Sequence, residues 1–321
     1  MRSLTCRGDG RVALVDVPDP EPGPGDALVR IAASAVCGSE RSSYVGGMEG
    51  NTGHEAAGVL EAVPAGHGFT PGERVGMSAV FGCGACARCA RGQEMHCEDG
   101  PRINAGWHAE YAVVPVRTLR AIPQDLDLGL AAMMTGDPLG VPARALGRAP
   151  APAGATVVVV GLGPVGLGHT LVRAFAGCRV IGIEPSPQRR ALALALGAAE
   201  AHAPGGWGGR VPLVIECSGR PAAIAAAFEL VDNGGTLLQS GECHTEIALT
   251  PSDLFIRREL TYTGAWYYGS EDYPAMRDLV ARGLPLADLR THDVAAADAQ
   301  GAITDFLEAR SGKVVLRWSE V

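Results

Sequence analysis

The sequence predicts an α/β protein that combines a β-barrel-like region with a doubly wound parallel sheet. From residue 11 to about 125, short β-prone runs such as "ALVRIAAS" and "AAGVLEAV" alternate with turns rich in Gly and Pro. From "TVVVVG" onward, apolar strands alternate instead with helical stretches such as "PVGLGHTLVRAFAG", a pattern that is typical of βαβ units. One crossover, "APGGWGGRVP", is too short and too rich in glycine for a full helix.

Composition and charge narrow the class of protein. The chain has 321 residues, enough for two domains, and 47% of them are hydrophobic. Its net charge of −8 argues against a nucleic-acid partner. The first residues, "MRSLTCRGDG", carry charges where a signal peptide needs an apolar stretch, and no apolar run reaches the roughly 18 residues of a membrane span. We therefore expect a cytoplasmic protein without a membrane partner, whose thiols stay reduced.

Four cysteines lie close together in the β-rich half, within "CGACARCARGQEMHC". Reduced thiolates at the spacing C-x2-C-x2-C-x7-C can surround a tetrahedral zinc ion at about 2.3 Å per bond. Two disulfides are disfavoured by the compartment and by the short C-x2-C loops, whereas an iron–sulfur cluster remains an alternative. Because the segment has few apolar residues, a metal would supply the free energy that packing cannot. The predicted ligands of a structural zinc ion are Cys83, Cys86, Cys89 and Cys97.

A glycine-rich turn, "GLGPVG", follows the first apolar strand of the second half and opens a helix. Its glycines allow a tight turn, close approach of a pyrophosphate and close packing of strand on helix. Glu184 ends the next strand, 23 positions after Gly161, where a carboxylate can accept hydrogen bonds from ribose hydroxyls and would repel a 2′-phosphate. We therefore predict NAD(H) in preference to NADP(H), although Arg189 and Arg190 could assist a phosphate. The predicted cofactor-binding residues are Gly161, Gly163, Pro164, Val165, Gly166, Glu184 and Arg189.

Further candidate metal ligands lie far apart in the sequence, in "AVCGSER", "TGHEAAG" and "TGDPLGV". Cys37, His54, Glu55 and Asp137 offer one thiolate, one imidazole and two carboxylates. A catalytic zinc ion usually keeps three protein ligands and one open position. Each residue also has an ordinary structural explanation, such as a buried cysteine or an aspartate that caps a helix. Spacing alone leaves this second metal site open.

Taken in order, these motifs resemble those of the zinc-dependent medium-chain alcohol and polyol dehydrogenases. The resemblance covers nearly the whole chain, and several motifs in sequence are far more specific than any one of them. The matching segments are "VCGSE", "GHEAAG", the four-cysteine segment, "GWHAEY", "GLGPVG", "IECSG" and "SGKVV".

The resemblance implies a two-domain architecture. It predicts a GroES-like catalytic domain formed by residues 1–140 and 285–321, with a structural zinc lobe at 82–98, and a Rossmann domain at 141–284. It also implies that Cys37 and His54 bind a catalytic zinc ion, with Glu55 as an exchanging ligand. Asp137 stands where sorbitol-type polyol dehydrogenases have a glutamate and classical alcohol dehydrogenases a cysteine. The chain would thus hold two zinc ions and form a homodimer or homotetramer.

The branch with Asp or Glu in that position includes sorbitol, threonine and 2-deoxy-scyllo-inosamine dehydrogenases. The resemblance therefore implies hydride transfer between NAD(H) and a secondary alcohol of a polyol, cyclitol or aminocyclitol, which becomes a ketone. The alternatives are a redox-neutral epimerase with tightly bound NAD, an NADP-linked alcohol dehydrogenase or reductase, and a zinc-free NADPH reductase of activated double bonds. The intact metal motifs argue against the zinc-free reductase, and the dinucleotide motif argues against a non-catalytic zinc-binding module.

Several residues depart from the family pattern or extend it. Glu40 replaces an aspartate that supports the ligand histidine in the family, and its longer side chain could shift that hydrogen bond. Ser39 matches the family's proton-relay hydroxyl, whereas Ser42 occupies the position of a frequent relay histidine. The candidate walls of the substrate pocket are Tyr44, Trp107 and His108. Near the end of the second half lies an aromatic cluster formed by Trp266, Tyr267 and Tyr268, which we expect in the core or at a subunit contact.

Overall fold

The structure is a computed structural model that describes residues 1–318. The strands are β1 (Arg2–Gly8), β2 (Arg11–Asp16), β3 (Asp26–Ala35), β4 (Ala56–Ala62), β5 (Arg74–Met77), β6 (Val80–Phe81), β7 (Arg102–Ile103), β8 (Tyr111–Pro115), β9 (Leu119–Ala121), β10 (Thr156–Val160), β11 (Arg179–Ile183), β12 (Glu200–His202), β13 (Val211–Glu216), β14 (Val231–Gln239), β15 (Thr261–Gly264), β16 (Arg290–Ala295) and β17 (Lys313–Arg317). The helices are α1 (Arg41–Gly46), α2 (Leu128–Met134), α3 (Asp137–Arg148), α4 (Pro164–Phe175), α5 (Pro187–Ala195), α6 (Pro221–Leu230), α7 (Tyr273–Ala281) and α8 (Ala299–Leu307).

The chain divides into two compact units. Unit 1 comprises Met1–Gly140, Tyr268–Arg277 and the chain from Arg290 onward, and unit 2 comprises Val141–Tyr267 and Asp278–Leu289. The predicted Rossmann domain was 141–284, whereas the segment Tyr268–Arg277 groups with unit 1 and the chain returns to unit 1 at Arg290 rather than at residue 285. Within residues 1–318, none of the helices has the length and apolar character that a membrane crossing requires.

Unit 1 is built around a mixed sheet with the order β16-β17-β3-β4-β5-β9, in which β8 also pairs with β3. The central strand β3 is antiparallel to β4, β8 and β17, whereas β16 and β17 are parallel to each other. The inner positions of β3 are apolar and fully buried, as its burial pattern shows. These pairings bring the end of β3, the start of β4 and the start of β17 together, although they lie far apart in the sequence.

Unit 2 contains a parallel sheet with the order β12-β11-β10-β13-β14-β15. The apolar run of β10, Thr156–Val160, lies at its centre between β11 and β13, as expected for a strand covered on both faces. This order is that of a doubly wound dinucleotide-binding sheet. The crossover from β12 to β13, residues 203–210 of the described chain, forms turns without a helix, as its short, glycine-rich sequence predicts.

Candidate active site

The four separated candidate metal ligands come together in unit 1. Ligand atoms of Cys37, His54, Glu55 and Asp137 all lie within 4.8 Å of one another. Cys37 lies two residues after the end of β3, and Glu55 directly precedes β4. The hydrogen bond from Ala35 N to Glu55 O, at 2.8 Å, holds these two strand ends side by side. The antiparallel pairing of β3 and β4 thus assembles half of the cluster.

Asp137 completes the cluster from the first position of α3. One of its carboxylate oxygens, Oδ2, lies 3.0 Å from Cys37 Sγ and 3.2 Å from His54 Nε2. The other ring nitrogen of His54, Nδ1, lies 2.9 Å from the carbonyl oxygen of Thr52, which orients Nε2 toward the cluster as ligand histidines require. The preceding Gly136 permits this approach, because a Cβ atom there would lie 2.7 Å from Glu55 Cγ.

Glu55 is held by Lys313, which lies in the matching segment "SGKVV" but for which the sequence predicted no role. Lys313 Nζ lies 2.6 Å from Glu55 Oε2, and both side chains are buried, at 1% and 0% exposure. Lys313 is the first residue of β17. The carbonyl oxygen of the next residue, Val314, accepts a hydrogen bond from Val36 N at 3.0 Å, which places Lys313 beside the end of β3. The sequence did offer a signal, since Lys313 begins the apolar run "KVVL" and such a run predicts burial. A buried ammonium needs a partner of opposite charge, so an acidic partner could have been sought.

The electrostatics of the cluster suit a divalent cation. Burial, reinforced by the neighbouring carboxylates of Asp137 and Glu55, raises the pKa of the Cys37 thiol to about 11. Within the described part of the chain, the buried atoms Glu55 Oε1 and Asp137 Oδ1 have no hydrogen-bond partner. Buried carboxylate oxygens without a partner are costly unless a cation compensates them. A thiolate, an imidazole and a carboxylate are ligands that zinc accepts, so the residues present fit this metal.

The four clustered cysteines also converge, in the segment 82–98 that we call the zinc lobe. The sulfur atoms of Cys83, Cys86, Cys89 and Cys97 lie within 4.8 Å of one another, and the structure shows them as free thiols. Backbone N–H groups point at these sulfur atoms, for example Cys83 N at 3.2 Å from Cys97 Sγ and Cys86 N at 3.3 Å from Cys83 Sγ. Backbone hydrogen bonds lower the pKa of Cys86 to about 6, which favours the thiolate form that binds metal, whereas burial raises the pKa of Cys89 to about 12.

The glycine-rich turn of unit 2 has the geometry of a phosphate-binding site. Gly161 has a φ of +85°, which favours glycine, and a Cβ atom on Gly166 would overlap the carbonyl oxygen of Gly161. Gly163 precedes α4, whose first residue is Pro164, and it provides no side-chain cap. The N–H groups at the start of α4 can therefore receive an anion. Val165 follows in the first turn of the same helix.

Glu184 and its neighbours surround this turn. Glu184 is 6% exposed, and its carboxylate accepts hydrogen bonds from Leu162 N at 2.8 Å and from Ser186 N at 3.0 Å. Glu184 thus braces the turn. Each of its carboxylate oxygens retains a second lone pair, which can accept a further hydrogen bond from a ligand. Arg189 Nη1 lies 3.9 Å from the position of a Cβ atom on Gly163. Arg190 instead donates to the carbonyl oxygens of Glu184 and Pro185, both at 2.7 Å.

Comparison with known proteins agrees with both halves of this architecture. Residues 23–124 match the family described as "Alcohol dehydrogenase GroES-like domain", and residues 164–282 match "Zinc-binding dehydrogenase". The chain is 30% identical to "Probable D-xylulose reductase A" of Neosartorya fischeri, over 97% of this chain and 94% of that protein. The chain belongs to the zinc-dependent medium-chain alcohol/polyol dehydrogenases.

Two further relatives extend the comparison of this dehydrogenase. It is 30% identical to L-threonine 3-dehydrogenase of Pyrococcus furiosus, over 94% of each chain. The crystal structure of a zinc-binding dehydrogenase from Sinorhizobium meliloti 1021, bound to NADP, superposes with a TM-score of 0.85 over 98% of each chain at 26% identity. The dehydrogenase is therefore an enzyme of the GroES-like plus Rossmann fold that uses zinc and a nicotinamide dinucleotide.

Glu40 supports the dehydrogenase's metal cluster differently from the family pattern. The longer side chain of Glu40 suggested a shift of the family's hydrogen bond to the ligand histidine, and His54 Nδ1 faces Thr52 O rather than Glu40. Glu40 Oε1 instead accepts from Cys37 N, while Oε2 accepts from Tyr44 Oη and pairs with His108 Nε2, each at 2.8 Å. Burial alone would raise the pKa of Glu40, but the adjacent His108 lowers it to about 2. Glu40 thus fixes the backbone of Cys37.

The prediction that Tyr44, Trp107 and His108 line the substrate pocket is wrong. Their exposures are 1%, 1% and 0%, so they form part of the core of unit 1. Tyr44 and His108 hold Glu40, as described above, and Trp107 N donates to Gly53 O at 2.9 Å. Plain packing was the alternative for all three residues, because an aromatic side chain suits a pocket wall and a core position equally well.

Ser39 and the late aromatic cluster complete the predicted residues. Ser39 lies in the short turn Gly38–Glu40 directly after Cys37 and is exposed. In the aromatic cluster, Trp266 is 38% exposed, whereas Tyr267 and Tyr268 are buried at 4% and 0%.

Proposed function

We propose that this dehydrogenase interconverts a secondary alcohol of a polyol, cyclitol or aminocyclitol and its ketone, with NAD(H) as the hydride carrier. The observation that carries the proposal is the convergence of Cys37, His54, Glu55 and Asp137. Among them, Cys37, His54 and Asp137 would hold a catalytic zinc ion, with Glu55 as the exchanging ligand. The cysteines of the zinc lobe would hold a second, structural zinc ion.

The roles of this chain's own residues follow from their contacts. Bound in this cluster, zinc would supply Lewis acidity that makes an alcohol hydroxyl easier to deprotonate. Ser39 would carry the released proton away, because its hydroxyl is exposed two positions after Cys37. Lys313 would balance the charge of Glu55 whenever that carboxylate is not bound to the metal, since Lys313 Nζ lies 2.6 Å from Glu55 Oε2. Glu40 would hold Cys37 in place through the backbone N–H of that cysteine.

The substrate class is supported by the ligand set and by the relatives. The carboxylate of Asp137 stands in the position that distinguishes the polyol branch from the classical alcohol dehydrogenases. The relatives named D-xylulose reductase A and L-threonine 3-dehydrogenase act, by their names, on molecules that carry several polar groups. These features favour a polar secondary alcohol over a simple apolar one.

The preference for NAD(H) is supported by Glu184 at the end of β11. A carboxylate beside the glycine-rich turn favours ribose hydroxyls and repels a 2′-phosphate. Arg189, which lies beside the same turn, and the NADP bound to the Sinorhizobium meliloti relative support NADP(H) as the second candidate.

A substrate panel tests the proposed function. Cyclitols, aminocyclitols, sugar alcohols, threonine and simple alcohols are each offered with NAD and with NADP, and formation of reduced cofactor is followed by absorbance. We expect the highest kcat/KM for a cyclitol, aminocyclitol or sugar alcohol with NAD. Activity confined to simple alcohols would contradict the proposed substrate class. Conversion of one epimer to another without net release of NADH would show an epimerase instead.

A further inference from the structure

Tyr268 connects the candidate catalytic metal site to the zinc lobe within unit 1. It is fully buried, and its hydroxyl donates a hydrogen bond of 2.6 Å to the carbonyl oxygen of Thr135. Thr135 directly follows α2 as its C-terminal capping residue and lies two positions before Asp137. The tyrosine ring also packs against α3, because a Cβ atom on Gly140 would overlap it. Tyr268 therefore contacts the chain on both sides of Asp137.

The residues that follow Tyr268 are fixed to the zinc lobe. Ser270 N and Ser270 Oγ donate to the two carboxylate oxygens of Glu94, at 2.9 and 2.6 Å. Glu271 N donates to Gly92 O at 3.2 Å, and Gln93 Nε2 donates to Glu271 Oε2 at 3.0 Å. Gly92, Gln93 and Glu94 lie in the lobe between its third and fourth cysteines.

This part of the lobe is in turn set by the cysteines. Gly92 N donates to Cys89 O at 3.0 Å, and Cys97 N donates to Glu94 O at 3.1 Å. An unbroken series of short contacts therefore runs from two cysteines of the lobe, through Glu94, Ser270 and Tyr268, to the start of α3. A small displacement of α3 would move the carboxylate of Asp137 relative to Cys37 and His54.

We propose that Tyr268 is a positioning residue that transmits the placement of the zinc lobe to Asp137 and so sets the affinity of the catalytic metal site. The inference rests on the proposed function, because it takes Asp137 as a ligand of that metal. It assigns to the lobe a role in the catalytic site in addition to local folding. Contacts in series show only a route, so the proposal requires a measured coupling.

The direct test is Tyr268→Phe, which removes the hydroxyl and keeps the ring. The catalytic site is loaded with Co²⁺ while zinc remains in the lobe, and its affinity is measured by competition with a chelator. We expect the affinity to fall about 10-fold, as for other residues that orient metal ligands, and the visible spectrum of Co²⁺ to change. Zinc in the lobe should stay at one ion per chain.

Tyr273→Phe provides a matched control in the same segment. The hydroxyl of Tyr273 also donates to a backbone carbonyl, that of Ala121 at 2.7 Å, but Ala121 lies in β9 and not beside Asp137. This variant should leave the Co²⁺ affinity and spectrum unchanged. Wild-type affinity and spectrum in Tyr268→Phe, or an equal loss in Tyr273→Phe, would overturn the proposal. Wild-type protein that takes up a single metal ion would instead refute the proposed function, so the two failures are distinguishable.

A second variant tests the contribution of the lobe. Glu94→Ala removes the acceptor of Ser270 without changing a cysteine. If the lobe acts through Tyr268, Glu94→Ala also weakens Co²⁺ binding. The double variant Tyr268→Phe/Glu94→Ala then loses less Co²⁺ affinity than the product of the two fold-losses measured for the single variants. Independent, multiplicative losses would refute transmission through Tyr268.

Discussion

Lys313 pairs with Glu55 beside the candidate metal cluster. Their ion pair is buried at both ends, and removal of one partner from such a pair typically costs about 3–5 kcal/mol, because the other charge is left without compensation. A nearby cation can supply the missing compensation. The stability of a Lys313 variant should therefore depend on metal.

We predict that Lys313→Met lowers the free energy of unfolding by about 3–5 kcal/mol in metal-free protein and by less in zinc-loaded protein. Denaturant unfolding with and without zinc measures this difference. The double variant Lys313→Met/Glu55→Gln is the control, since it removes both charges and should recover part of the loss. Equal losses with and without zinc, or strictly additive effects in the double variant, would contradict this role of Lys313.

The proposed preference for NAD(H) depends on Glu184. We predict that Glu184→Ala raises the KM for NAD about 10-fold or more, because hydrogen bonds to a charged acceptor are worth about 1.5–3 kcal/mol. The ratio of kcat/KM for NAD to that for NADP should fall. Steady-state kinetics with both cofactors measure these quantities.

Glu200→Gln is the matched control for Glu184. Glu200 begins the neighbouring strand β12 and pairs with Arg179 and His202. Its variant should leave both KM values unchanged. An unaltered NAD-to-NADP ratio in Glu184→Ala would show that Glu184 only braces the turn through Leu162 and Ser186.

Single residues differ in how far the sequence predicts them. Cys37, His54 and Asp137 were candidates because of their residue types, and only the resemblance to a family in the order of the motifs gave them a predicted role. Lys313 was missed because its partner Glu55 is distant in the sequence, and only strand pairing brings them together. The His108–Glu40 pair was missed for the same reason, although both residues had been considered separately.

The zinc lobe is the element whose folding should depend most on metal. It is short, and much of it is exposed, so packing alone supplies little free energy. We predict that Cys89→Ser removes one zinc ion per chain, makes residues 82–98 sensitive to protease, and lowers the first thermal transition by at least about 5 °C. Metal analysis, limited proteolysis and calorimetry measure these effects.

Cys243→Ser serves as the control for the lobe. Cys243 lies in unit 2, outside both metal clusters, and is partly exposed. Its variant should retain both zinc ions and the wild-type transition. Retention of both ions by Cys89→Ser would contradict a four-cysteine site.

Strands and helices whose apolar residues recur at a regular spacing were predicted from the sequence. Helices in which that spacing is interrupted were not predicted. The strands and helices of unit 2 follow apolar runs and alternation, so their order could be read from the sequence. The helices α2 and α3 were not predicted, although α3 carries Asp137. Pro142 lies inside α3, and an interior proline removes a backbone hydrogen bond and hides the helical pattern.

The whole molecule was predicted from the order of its motifs rather than from any one of them. The GroES-like and Rossmann folds and the zinc dehydrogenase family are confirmed by the matches over residues 23–124 and 164–282. The return of Tyr268–Arg277 to unit 1 was not predicted, because it depends on tertiary hydrogen bonds of Tyr268, Ser270 and Tyr273 that leave no local pattern.

The zinc content and activity of Cys37→Ser test the central claim most directly. Wild-type protein and a Cys6→Ala control, which alters a buried cysteine outside both metal clusters, should each contain two zinc ions per chain and reduce NAD with the best alcohol of the panel. Cys37→Ser should contain one zinc ion and lose this activity. If Cys37→Ser keeps the wild-type zinc content and still oxidises the alcohol, the catalytic metal site is not where Cys37, His54 and Asp137 meet.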